Sequence, residues 1–210
     1  MNKKISALLL AGAMMLSLAA CGSKEAAPAP APSAPSTSTS TEAAGEVAGL
    51  TAPIAEAPAL VTSGGQSADY QMIATVMGKV GMNYTVNNLC TSADLGDAKT
   101  LIVVVGGSSK GLGAAGIDAD GELARLNEVI DGAKSAGLTV IAMHTGGEAR
   151  RGELSDKFIS PIFEKADYAI VVTSGDADGL MSGICASKGI PMDGIKSISE
   201  VATVLPAAFK

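Results

Sequence analysis

The chain has 210 residues, a formal net charge of −6 and only 3% aromatic residues, with no tryptophan. The negative charge argues against a nucleic-acid partner, because contacts with phosphates require clustered lysines and arginines. The shortage of aromatic side chains disfavours base-stacking and sugar-binding surfaces. With one histidine and no closely spaced pair of cysteines, the sequence also disfavours a structural metal site.

The amino terminus has the organisation of a secretory signal. Two lysines precede an apolar stretch over residues 5–20, and Cys21 ends a Leu-Ala-Ala-Cys sequence that resembles the bacterial lipobox. In a lipobox the cysteine is acylated and becomes the first residue of the mature protein. We therefore predict a signal peptide over residues 1–20 and a lipid anchor at Cys21, on the extracytoplasmic face of the cell membrane. A single transmembrane anchor is the alternative, but about sixteen apolar residues are few for it.

A linker is predicted to follow Cys21. Residues 22–57 are rich in alanine, proline, serine and threonine, and their four clustered prolines oppose a helix. Such a composition has little to bury, so a disordered tether is expected. The folded domain is predicted to span residues 58–210.

The first predicted elements of the domain are a short apolar strand over residues 59–62 and a helix capped by Ser67. A second strand is predicted at residues 84–86, near an edge of the sheet. Five consecutive apolar residues at 101–105 then predict a central strand that is buried on both faces. We expect the next two residues, Gly106 and Gly107, to turn sharply at positive φ.

Strands and helices continue to alternate to the end of the chain. The later elements are a helix capped by Asp118 or Asp120, a strand over residues 138–143, a helix opened by Ser155 and Asp156, a strand over residues 166–172, a helix ending at Gly189, a short strand over residues 195–198 and a terminal helix from Ser199. This alternation predicts right-handed crossovers and a mostly parallel sheet. We expect one three-layer, doubly wound α/β domain, flavodoxin- or Rossmann-like, with five to six strands and the order 2-1-3-4-5.

In that strand order, four loops meet at the carboxyl edge of the sheet. They cover residues 63–67, 106–113, 144–152 and 173–179, and together they are called the rim below. Ligands of open α/β sheets bind at this edge, glycines allow a ligand to approach the backbone, and cationic side chains suit a phosphate or carboxylate. We therefore predict binding of a small anionic molecule by the following residues: Ser63, Gly64, Gln66, Ser67, Gly106, Gly107, Ser108, Ser109, Lys110, Gly111, His144, Gly146, Gly147, Arg150 and Arg151.

A serine-dependent surface hydrolase is the second hypothesis. Residues 107–111 match the G-x-S-x-G nucleophile elbow and follow a strand, so Ser109 or Ser108 would act with His144. However, the elbow needs a helix to start at once, whereas residues 112–117 are expected to intervene before the next helix. The histidine would also precede its acidic partner in the chain, contrary to the order in that fold.

No cofactor is expected. The Walker pattern is absent, and the G-x-G-x-x-G match at residues 111–116 lies well beyond the end of its strand. The expected partners are the membrane, the small molecule and a transporter or sensor; an interaction module without a ligand is a third hypothesis. Cys90 and Cys185 are expected to be unpaired, buried thiols, although a disulfide is chemically allowed outside the cytoplasm.

Three sequence stretches resemble a known family. They are residues 60–67, residues 105–113 and residues 146–152, and they belong to three of the rim loops and the strands before them. Between about residue 59 and residue 191 the chain resembles a family of uncharacterised bacterial extracytoplasmic proteins, a domain of unknown function. This resemblance supports the rim and implies no activity.

Overall fold

The computed structural model describes residues 47–210, and the predicted signal peptide and Cys21 lie outside this range. The strands are β1 (Ala59–Gly64), β2 (Tyr84–Val86), β3 (Thr100–Val105), β4 (Thr139–His144), β5 (Tyr168–Val172) and β6 (Met192–Ile195). The helices are α1 (Asp69–Lys79), α2 (Ser109–Ala115), α3 (Ala119–Ser135), α4 (Glu153–Phe163), α5 (Leu180–Lys188) and α6 (Val201–Ala207).

All six strands are parallel and form one sheet in the order β2-β1-β3-β4-β5-β6. The predicted flavodoxin-like order is therefore confirmed, with β6 added beside β5. The strand β3 lies between β1 and β4, and all six of its residues are buried. The continuous apolar sequence of β3 is explained by this position, since neither face of a central strand meets water.

Two hydrophobic cores cover the two faces of the sheet. Leu101, Val103 and Val105 of β3 belong to a core shared with α3, α4 and α5. Ile102 and Val104 point to the other face and belong to a core shared with α1 and α6. Because successive strand residues face opposite sides, this alternation produces a three-layer α/β/α domain, as predicted.

The helix α2 was missed by sequence analysis, which placed a loop there. Ser108 caps it, its side chain accepting a hydrogen bond from the backbone N–H of Gly111 at 3.0 Å, and Gly116 ends it at φ 70°. Two of its seven residues are glycines and only Leu112 is buried, so neither helix propensity nor apolar spacing marks it in the sequence.

Several predicted boundaries also differ by a few residues. The N-cap of α1 is Ala68 rather than Ser67, whose hydroxyl donates to the carboxylate of Asp69, and α4 begins at Glu153, two residues before Ser155. The strand β6 covers Met192–Ile195 instead of residues 195–198. Its position is set by pairing with β5, a tertiary contact that local sequence does not reveal.

Residues 47–57, which the sequence analysis assigned to the linker, lie against the amino edge of the sheet. The backbone N–H of Met192 donates to the carbonyl of Ala48 at 3.1 Å, and the N–H of Leu50 donates to Asp193 Oδ2 at 3.2 Å. The N–H groups of Ile54 and Ala55 both donate to a carbonyl just beyond the end of α6. The last part of the predicted tether therefore joins the domain at the edge opposite the rim.

Two further properties concern residues 47–210. None of their helices has the length and apolar character needed to span a membrane. Cys90 and Cys185 are both free and buried, as expected.

Candidate functional site at the carboxyl edge

The loops after β1 and β3 are joined directly by backbone hydrogen bonds. Gly106 makes two of these bonds: its N–H donates to the carbonyl of Gly64 at 2.8 Å, and its carbonyl accepts from the N–H of Ser67 at 3.0 Å. In the third, the N–H of Ser108 donates to the carbonyl of Gly65 at 2.8 Å. In a doubly wound sheet, the crevice between these two strands is where ligands normally enter. Here the two loops fill it with their own backbone.

The glycines of the β3 loop allow this close approach. A Cβ atom at Gly106 would lie 2.7 Å from Ser67 Oγ, and one at Gly107 would lie 2.8 Å from the backbone nitrogen of Ser155. A Cβ atom at Gly111 would overlap the carbonyl oxygen of Gln66. The positive φ predicted at Gly106 and Gly107 is wrong, since neither is among the residues with positive φ. Contacts between loops, rather than backbone conformation, require glycine here.

A buried ion pair lies on the α3 side of the β1 loop. The Glu122 carboxylate accepts hydrogen bonds from Gly65 N at 2.9 Å, Gln66 Nε2 at 3.1 Å and two nitrogens of Arg125 at 2.8 Å each. Gln66, at φ 60°, also donates from Nε2 to the backbone carbonyl of Asn88 at 2.8 Å and accepts at Oε1 from Asn88 Nδ2 at 2.9 Å. The polar atoms of the β1 loop are thus satisfied within the protein.

A second carboxylate connects the rim on the α1 side. Asp69 Oδ2 accepts a hydrogen bond from Ser67 Oγ at 3.0 Å and lies 3.2 Å from Arg150 Nε. A Cβ atom at Gly106 or Gly146 would lie 3.0 or 3.1 Å from the same oxygen, so both loops contact it. The Asp69 side chain is 7% exposed, whereas that of Arg150 is 39% exposed. The two terminal nitrogens of the Arg150 guanidinium make no hydrogen bond within residues 47–210, so they are available to a ligand.

The end of β4 holds two buried polar atoms without a partner. Within residues 47–210, His144 Nδ1 and Thr145 Oγ1 make no hydrogen bond, and both side chains are buried. The other ring nitrogen of His144 lies 3.4 Å from the carbonyl oxygen of Arg150. Burial lowers the pKa of His144, so its imidazole is neutral near pH 7. Unpartnered buried polar atoms are rare in native proteins and indicate a bound water or a ligand.

The remaining cation of this loop, Arg151, is fully engaged. Its guanidinium donates to Asp156 at 2.7 Å, to Asp178 at 2.8 Å and to the carbonyl of Gly175 at 2.5 Å. These two carboxylates raise the pKa of Arg151, and the guanidinium lowers the pKa of Asp178 to about 2. Arg151 therefore ties the loop after β4 to the loop after β5. Lys110 is exposed at the start of α2.

The residues of the hydrolase hypothesis are not assembled into a catalytic group. A helix does start within the G-x-S-x-G sequence, at Ser109, so the predicted gap of residues 112–117 is wrong. However, Ser108 Oγ caps that helix, Ser109 is exposed at a φ outside the positive region, and His144 is buried. Within residues 47–210, no hydrogen bond joins either serine to this histidine.

Metal binding finds no support in the described part of the chain. Within residues 47–210, no three side chains of His, Cys, Asp or Glu lie close enough together to hold a metal ion.

An open depression of about 380 Å³ lies beside α2, lined by Ser109, Ala119, Glu153, Leu154 and Lys157. Since Lys157 pairs with Asp120, this depression offers no unpaired cation.

The structure brings the four predicted loops together but divides their residues into two groups. Ser63, Gln66, Ser67 and the glycines of the β3 loop bond to each other or pack closely. His144 and Arg150 keep polar atoms free. Sequence analysis did not assign Asp69, Glu122 and Arg125 to the site. The last two could have been noticed, because they are charged residues three apart on the helix whose apolar residues, Leu123 and Leu126, lie beside them.

The chain belongs to a family described as a domain of unknown function (DUF6305), whose model matches residues 56–209. No curated protein is a significant match to the chain. Similar solved structures include the psychrotrophic esterase EstA from Pseudoalteromonas sp., with 11% identity, a TM-score of 0.30 and coverage of 65% of this chain and 76% of the esterase. Another is TesA, with 13% identity, a TM-score of 0.29 and coverage of 64% and 77%. Likeness at this level supports no statement about activity.

Proposed function

We propose that this protein is a lipid-anchored, extracytoplasmic binding protein for a small anionic molecule, which contacts Arg150, His144 and Thr145. The observation that carries the proposal is the coincidence of two buried, unpartnered polar atoms with a half-exposed arginine in one loop. Folded proteins seldom leave such atoms without hydrogen bonds. A ligand, or a water that a ligand displaces, satisfies them.

The chemistry of these groups suits one anionic group. The Nε atom of Arg150 is held by Asp69, which orients the guanidinium and leaves its two terminal nitrogens for a carboxylate or phosphate. The hydroxyl of Thr145 can donate to the same anionic group, whereas Nδ1 of a neutral His144, whose Nε2 faces the carbonyl of Arg150, accepts a hydrogen bond from a ligand hydroxyl or a water. Because Asp69 offsets part of the positive charge, we expect modest affinity and a preference for ligands with a single anionic group.

The remaining members of the predicted site have a supporting role in this proposal. Ser67 holds Asp69, and Arg151 connects the loops around the histidine. Gly146 leaves room for the side chain of Arg150, since a Cβ atom there would overlap it. These contacts fix Arg150 in one orientation before the ligand arrives, which lowers the entropic cost of binding.

The proposed anchor is compatible with an accessible site. Residues 47–57 join the domain at the amino edge, while Arg150 lies at the carboxyl edge. About 25 further residues separate this segment from Cys21. Residues 47–57 and the proposed site therefore lie at opposite edges of the sheet, and a transporter or sensor at the cell surface is the partner we propose for the site.

The proposal is tested with thermal unfolding of the protein from residue 22 onward in phosphate, acetate and succinate, each against chloride at equal ionic strength. A ligand that binds the folded state raises the unfolding midpoint. We expect Arg150→Gln to remove most of the rise and Lys110→Gln, the loss of another rim cation, to leave it unchanged. Equal stabilisation of both variants contradicts the site. An absence of stabilisation by every anion favours an interaction module without a ligand.

A further inference from the structure

The carboxylate of Glu122, a residue of α3, is bound by the β1 loop in the way that a protein binds the carboxylate of a ligand. Its carboxylate is fully buried and accepts four hydrogen bonds, from Gly65 N, Gln66 Nε2 and two nitrogens of Arg125. A backbone N–H of a glycine-rich loop, a side-chain amide and a guanidinium fork are the donors by which proteins bind external carboxylates.

These donors are held in place by contacts that do not involve Glu122. Arg125 also donates to the carbonyl of Ser63 at 2.6 Å and to the carbonyl of Cys90 at 2.9 Å. The side chain of Gln66 is fixed by Asn88, because it donates to the backbone carbonyl of Asn88 and accepts from the side-chain amide of Asn88. The cradle of donors is thus organised in large part by the rest of the protein and is not built by the carboxylate alone.

We propose that Glu122 is a built-in occupant of an anion-binding cradle, and that it excludes external anions from the α3 side of the rim. Removing its carboxylate should convert the cradle into a site for a very small carboxylate such as formate or acetate. This inference concerns other residues than Arg150, His144 and Thr145, so it stands or fails separately from the proposed function.

The direct test is rescue of Glu122→Ala by formate. The variant leaves the buried cation of Arg125 without its counter-charge and the N–H of Gly65 without its acceptor, so its thermal midpoint should fall well below that of the wild type. Formate, compared with chloride at equal ionic strength, should raise this midpoint in a saturable manner. Acetate should act more weakly and benzoate should have no specific effect, because the space left by the side chain is small.

Two controls separate a specific site from a general effect of the salt. Glu128→Ala removes an exposed carboxylate from the same helix and should respond to formate no more than the wild type does. In the double variant Glu122→Ala, Arg125→Ala the formate response should disappear, because the cradle has lost its cation.

Three results would overturn the proposal. One is a folded Glu122→Ala variant that formate stabilises no more than chloride. Another is an equal formate response in Glu128→Ala. The third is a Glu122→Ala variant that stays unfolded at every formate concentration, since an anion cradle that survives loss of its occupant must regain structure when the anion is supplied.

Discussion

Asp69 Oδ2 lies 3.2 Å from Arg150 Nε, which joins the first turn of α1 to the loop after β4 across the carboxyl edge of the sheet. The same oxygen accepts the hydroxyl of Ser67. One carboxylate thereby positions a β1-loop serine and the arginine that we propose to bind a ligand. A matching carboxylate, Glu122, holds the β1 loop from the α3 side. Two acidic residues therefore organise a rim that the sequence marked chiefly by its glycines and cations.

The two glycines of α2 should respond in opposite directions to alanine. In Gly111→Ala the new methyl group overlaps the carbonyl of Gln66, so we expect a loss of about 1–3 kcal/mol in the free energy of unfolding. At Gly113 nothing lies within 4 Å and the backbone is helical, so alanine should add about 0.5–1 kcal/mol. Urea unfolding measures both; equal effects would show that α2 does not pack on the β1 loop.

The two rim cations Arg151 and Lys110 should differ in their effect on stability. Arg151, with a 14% exposed side chain, bonds two carboxylates and the carbonyl of Gly175. Arg151→Ala should lower the free energy of unfolding by about 1–3 kcal/mol, the usual cost of leaving such groups unpaired. Lys110→Ala should stay within about 0.5 kcal/mol of the wild type. If chemical denaturation finds the two variants equally stable, Arg151 does not tie these loops together.

His144 should make stability depend on pH in a defined window. Burial lowers its pKa from the usual value near 6.5, so the unfolded chain binds a proton that the folded protein does not. The contribution is complete above about pH 6.5 and declines as the pH falls toward the lower folded pKa, by at most about 1.4 kcal/mol per pH unit. Urea unfolding between about pH 5 and 8 should show a steeper decline in the wild type than in His144→Gln. Parallel profiles would contradict a buried neutral histidine.

The sequence predicts the sheet well because its strands are nearly continuous apolar runs. The apolar run at 101–105 predicted a central strand covered on both faces, and the glycine-rich segment after it was predicted to lie at the carboxyl edge. The alternation of strands and helices predicted a mostly parallel sheet with right-handed crossovers, for which the flavodoxin-like order 2-1-3-4-5 was expected.

The site was harder to predict because its interactions join residues far apart in the chain. Asp69 looked like an ordinary first-turn acid of α1, and only the fold places Arg150 beside it. Conversely, Arg151 and Gly107 looked available to a ligand, although the first is ion-paired and the second faces Ser155. Local sequence shows which residue types reach the rim but does not show which of them bond to each other.

The anchor prediction is tested at Cys21, which lies outside the described residues. Cys21→Ser should release the protein from the membrane fraction, because the thiol is the only proposed point of acylation. Metabolic labelling with palmitate, followed by membrane fractionation, checks this directly. A Cys21→Ser protein that still carried an acyl chain would contradict the lipid anchor and the location proposed with it.

The most direct measurement of the central claim is a nitrogen-15 NMR titration of the imidazole of His144, the single histidine of the chain. We expect phosphate or a carboxylate that raises the thermal midpoint to shift the ring nitrogen resonances saturably, with the same affinity. In Arg150→Gln that shift should be lost, and in Lys110→Gln it should persist. An anion that stabilises the protein while leaving the imidazole resonances unchanged would place its site elsewhere and contradict the proposed function.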